Sequence, residues 1–87
     1  MFKKIRSLNM SYKKQGYIYF TCLNYQNLSD QQQREILNLC LKAGGEHYGA
    51  LFELVTSDIG VRKAASKHYI SESTLHRIRN KFYSEWD

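Results

Sequence analysis

Five polar residues within nine positions, Glu72, Ser73, His76, Arg77 and Asn80 of ESTLHRIRN, are of the types that hydrogen-bond to the edges of nucleic-acid bases. A guanidinium donates to two acceptors of guanine, and a carboxamide pairs in the same two-point way with adenine. Just upstream, VRKAASK carries Arg62, Lys63 and Lys67, cations suited to phosphate oxygens, and Lys81 adds a fourth downstream. Catalytic or metal chemistry has far less to work with. His47, His68 and His76 stand at no recognised ligand spacing with Cys22 or Cys40, and GGEHYG is a helix junction rather than a phosphate loop. His68 falls on the apolar side of its run, as a core or interface histidine does. The expectation is a protein that is not an enzyme and uses neither metal nor cofactor.

The polar groups need two helices to hold them. At 100° per residue, Leu75, Ile78, Phe82 and Trp86 fall in one stripe. Ser73, Arg77, Asn80 and Ser84 lie opposite, with His76 and Lys81 at the margins. Ala65, Ile70, Leu75 and Ile78 are separated by five, five and three positions. Two crossed helices need a small residue at the crossing, an apolar plug in the turn and two inward residues on the second helix, and this spacing supplies each. Val61 and Ala64 extend the inner face of the first helix, and Ser71 is placed to cap the second.

With these residues in view, VRKAASKHYISESTLHR, within residues 61 to 80, resembles the helix-turn-helix of bacterial regulators, most closely the stage III sporulation regulator D type and sigma-factor region 4. The shared pattern is a Val-Arg start, a small residue, a hydrophobic-Ser turn and a Ser-Thr-hydrophobic-His recognition segment. The resemblance covers about a quarter of the chain. It implies sequence-specific binding of double-stranded DNA and transcriptional regulation, with residues 72 to 84 inserted in the major groove. In that family the residue before the apolar plug is often glycine or another that tolerates positive φ. Here it is Tyr69, for which that conformation is costly; the alternative is a looser turn with the ring packed across another helix.

The remaining chain supplies the support. Ser29 and Gln32 form a capping box for a helix whose apolar face holds Ile36, Leu37, Leu39, Cys40 and Ala43, and Gly44-Gly45 ends it. Tyr48, Leu51, Phe52 and Val55 form the stripe of the next helix, and Thr56-Ser57-Asp58 stops it and offers caps for the helix after it. Residues 17 to 25 are ambiguous: aromatic and β-branched content suits a strand paired with residues 4 to 12, whereas Ile18, Cys22 and Tyr25 at helical spacing suit a short helix, to which a mostly helical chain inclines.

Charge is unevenly spread. Residues 1–28 carry Lys3, Lys4, Arg6, Lys13 and Lys14 without an acid, hence +5; residues 29–60 set Arg34 and Lys42 against five acids, hence −3; residues 61–87 set six bases against three acids, hence +3. An acidic middle between two basic ends suggests a polyanionic partner. The two cysteines are too few for a disulfide scaffold and read as reduced, packed thiols. After the basic FKKIR comes a polar run without the apolar stretch of a leader, and nothing approaches the length of a membrane span, so a cytoplasmic, non-membrane protein is expected.

The expected architecture is therefore all-α: a basic amino-terminal arm, residues 1–16, then one domain, 17–87, of four to five helices with a helix-turn-helix at 58–86. Lys3, Lys4, Lys13 and Lys14 of the arm would join Arg62, Lys63, Lys67 and Lys81 on phosphates. One such domain makes few base contacts, so a homodimer on paired half-sites is expected, with Tyr12, Tyr17, Tyr19 and Tyr25 as a dimer face or else as core. Two rival expectations are a small phage or mobile-element product that inhibits a host nucleic-acid enzyme or RNA polymerase, and a single-strand binder that stacks bases on the tyrosines.

Overall fold

Ser29 opens the longest helix as its sequence predicts. Its hydroxyl accepts from the Gln32 amide while the Gln32 side chain reaches back to the Ser29 amide, so two backbone donors at the helix start are satisfied reciprocally. In the computed structural model, which describes residues 2–86, the chain forms five α-helices: α1, Tyr12–Leu23; α2, Asp30–Gly44; α3, Tyr48–Thr56; α4, Val61–Lys67; and α5, Glu72–Ser84. Short 3-10 turns, Tyr25–Asn27 and Gly45–His47, join α1 to α2 and α2 to α3. The domain is all-α, with no strand among the described residues.

The ambiguous segment is helical. Ser11 caps it by accepting from the Lys14 amide at 3.1 Å, and Gln15, Ile18 and Cys22, at spacings of three and four, form its buried stripe. The helix starts five residues earlier than the ambiguous segment, so Lys13 and Lys14 belong to α1 and the expected arm is shorter. Nor is the remainder a loose arm. Leu8 is buried in the core, Phe2 packs its ring 5.1 Å from those of Tyr12 and Tyr19, and Gln15 ties the segment down. The Gln15 carboxamide is fully buried; it accepts from the Ile5 amide at 2.6 Å and donates to the carbonyls of Ile5 and Met10, both at 3.1 Å.

Helix α2 is central, packing on both α3 and α5. The core gathers Ile18 and Cys22 of α1, Ile36 and Cys40 of α2, Leu51 and Val55 of α3, Ala64 and Ala65 of α4, and Leu75, Ile78 and Phe82 of α5. Gly45, at φ 57°, turns the chain out of α2 in the left-handed region, where a side chain is disfavoured. The expected caps after α3 have other partners. The hydroxyls of Thr56 and Ser57 donate back to the carbonyls of Phe52 and Glu53, and Asp58 accepts from the Tyr19 hydroxyl at 2.6 Å. A glycine at positive φ, Gly60, then opens α4 without a side-chain cap. The Tyr19–Asp58 contact raises the phenol to about 12, chiefly because its hydroxyl donates a hydrogen bond to the neighbouring carboxylate, and holds the Asp58 carboxyl below its ordinary value.

Candidate nucleic-acid interface

Ala64 and Ala65 are buried where α4 crosses α5, and side chains this small let the two backbones approach. Leu75, Ile78 and Phe82 are buried beneath them, with Ile70 and Trp86 packed against the same core. The turn between the helices follows one hydrogen-bond pattern: the Ile70 amide donates to the Ala65 carbonyl at 3.0 Å and the Tyr69 amide to the Ser66 carbonyl at 3.3 Å. This is the Schellman closure, which requires a left-handed residue between the helix end and the apolar plug. Tyr69 occupies that place at φ 57°, the one non-glycine positive φ among the described residues. A side chain held there costs on the order of 1–3 kcal/mol. Tight closure is thus kept despite the tyrosine, and its ring does not pack on another helix, because Tyr69 is 95% exposed.

Helix α5 begins as expected. The Ser71 hydroxyl accepts from the Thr74 amide at 3.1 Å, and Glu72 complements the helix dipole in the first turn. Glu72, Ser73, His76 and Arg77 are exposed. Arg62 and Lys63 on α4, and Lys81 on α5, are exposed too, and none of these three makes an ion pair among the described residues.

Two expected site residues have other work. Asn80 is half-buried: its Nδ2 donates to the Ser7 hydroxyl at 2.8 Å and its Oδ1 accepts from the Arg79 guanidinium. It lies eight residues, hence about 12 Å, beyond the start of α5, so its amide joins the amino-terminal segment to the helix rather than facing a groove with Arg77. Lys67 donates to Glu53 Oε2 at 2.8 Å, and His68 Nε2 lies 2.8 Å from Glu53 Oε1, so one carboxylate of α3 clasps the end of α4. That carboxyl is held below its ordinary value by the bond from Lys67 first and from His68 second.

The basic amino-terminal residues divide. Ser7 sits against Asn80, and Lys3 lines one cleft with Arg79, Tyr83, Gly60 and Val61, which places the segment of Lys3, Lys4 and Arg6 beside α5 and the start of α4. Lys13 instead lines a groove with Tyr17, Phe20, Asn24 and Gln32, apart from the arginines of α4 and α5. Lys14 is exposed on α1. Arg79 is partly buried, and burial lowers its guanidinium from the ordinary value.

Of the tyrosines, Tyr12 and Tyr17 are mainly exposed, together with Phe20. Tyr25 packs on the core with an edge contact 5.0 Å from Phe52, and Tyr19, half-buried, bonds to the exposed Asp58. Gln15 and Ser7 are the positioning residues that sequence patterning missed; a polar residue at the head of the Gln15, Ile18, Cys22 stripe was the available sign. Among the described residues no cluster of His, Cys, Asp and Glu is arranged to hold a metal, and no helix is long and apolar enough to cross a membrane. No family model, curated protein or solved structure matches the chain.

Proposed function

We propose that this protein binds double-stranded DNA sequence-specifically, as a small transcriptional regulator of the bacterial or mobile-element kind, with the amino-terminal half of α5 in the major groove. The observation that carries the proposal is convergence: two basic regions some seventy residues apart in sequence lie side by side, joined at the Ser7–Asn80 hydrogen bond. A polyanion on this side draws, in this reading, on Arg62 and Lys63 of α4, Arg77 and Lys81 of α5, and Lys3, Lys4 and Arg6, all of them exposed. In this reading Arg77 donates to base edges, and Ser73, His76 and Glu72 flank it at the entering end of the helix, where helix-turn-helix proteins read bases. Arg62, Lys63 and the amino-terminal lysines neutralise phosphates. The exposed Tyr12, Tyr17 and Phe20 of α1 favour a homodimer, which supplies the second half-site that a module of this size needs.

The test is affinity for random duplex across a salt series, followed by selection from a random duplex pool. Each phosphate neutralised should add roughly 0.9 to the log–log salt slope. Arg77→Ala should relax preference at one base position of the selected site, losing about 1–3 kcal/mol of discrimination there, whereas Lys63→Ala should weaken all sequences alike and reduce the slope by about one. A two-fold symmetric consensus would support the dimer. Absence of duplex binding at low salt would overturn the proposal in favour of a host-protein target.

A further inference from the structure

Tyr69 is held by its turn in a conformation that glycine accepts and tyrosine resists, yet its ring gains no packing in exchange. The hydrogen bonds that impose this conformation are backbone bonds, open to any residue but proline at the position. The fold therefore supplies no reason for a tyrosine. Its neighbours narrow what a reason outside the fold would be. Exposed residues on either side, Ser66, Lys67, Ser71, Glu72 and Ser73, are polar, and no other large apolar side chain is exposed between residues 49 and 86. An isolated aromatic in a polar, partly cationic setting is a poor apolar docking patch for a protein. It suits a surface where a flat ring meets sugar and a hydroxyl meets a charged oxygen, and tyrosine is among the residues that bond DNA phosphates.

We infer that Tyr69 contacts the sugar-phosphate backbone of duplex DNA at the lip of the groove that α5 enters, its hydroxyl donating to a phosphate oxygen and its ring lying on a deoxyribose. The inference rests on the DNA-binding reading above. The closure that sends Ile70 inward as the plug sends Tyr69 outward, two residues after Lys67 and two before Ser71, the cap after which Glu72 begins α5. The contact adds no charge, so it contributes affinity without contributing to salt dependence.

The two properties make opposite demands on one side chain, and that is what the experiment reads. Tyr69→Gly, with Tyr69→Asn as a second variant at ease in the left-handed region, should raise the thermal midpoint by roughly 4 °C. The same variants should weaken binding to a 20-base-pair duplex about tenfold, with the salt slope unchanged. Tyr69→Phe should keep the wild-type midpoint and lose part of the affinity. Variants that are more stable but bind as tightly as wild type would overturn the inference while leaving the DNA-binding proposal intact. A midpoint that does not rise in either variant would overturn the premise that the tyrosine opposes the fold. Wild-type protein that binds no duplex would overturn both.

Discussion

Gln15 shows how much one side chain organises here. A carboxamide buried without partners would be expensive, so its three bonds to the Ile5 amide and to the carbonyls of Ile5 and Met10 are what allow it inside. They also fix a segment with no secondary structure of its own against α1. Gln15→Ala should cost about 1–3 kcal/mol, measured by denaturant unfolding, and should speed hydrogen exchange at the Ile5 amide ahead of the helices. An Ile5 amide as protected as in wild type would show that Leu8 and Phe2 anchor the segment without it. Tyr69 is the converse case, a residue whose conformation is imposed by its neighbours' backbone and not by anything its ring touches.

At the scale of elements, the helices form where amphipathic spacing and caps agree, and their ends are set by small local groups: Ser11, Ser29 and Ser71 at starts, Gly45 at an exit. What locks α4, only seven residues long, is tertiary. The Glu53 carboxylate holds Lys67 and the His68 ring at its carboxyl-terminal end, where the charge of Lys67 suits the helix dipole. Because those bonds depress the Glu53 carboxyl, the folded state prefers its ionised form. The stabilisation is fully present above the ordinary glutamate value and is lost as pH falls through the folded-state value. Glu53→Gln should thus lower the thermal midpoint at neutral pH, and its difference from wild type should shrink on acidification and vanish once Glu53 is protonated. A difference that persists in acid would mean that packing, not charge, is Glu53's contribution.

At the scale of the molecule, one core joins all five helices, and the two thiols report on it. Cys22 of α1 and Cys40 of α2 are buried, and burial pushes both up to about 12. The folded state therefore prefers the neutral thiol, a preference present below the ordinary cysteine value and lost as pH rises through the folded one. A thiolate-selective alkylating reagent at about pH 8 should label the two at the same slow rate, since thiolate is the reactive form and global opening supplies it. Faster labelling of Cys22 would reveal that α1 and the segment before it open independently. The same core brings the segment of Lys3, Lys4 and Arg6 beside α5 and the start of α4, an adjacency absent from a composition that shows only two basic ends.

The helical class, the capping box at Ser29, the cap at Ser71, the buried thiols and the inner face from Ala65 to Phe82 were all determined by sequence alone. Each depends on periodicity or on groups within about four residues, and such local physics is written in order along the chain. Only tertiary structure decided that the expected arm is strapped down by Gln15, that Lys67 answers to Glu53, and that Asn80 faces Ser7 instead of open solvent. These outcomes turn on partners 10, 14 and 73 positions away. Helical phase shows which side of a helix an asparagine occupies but not what the rest of the chain lays over it.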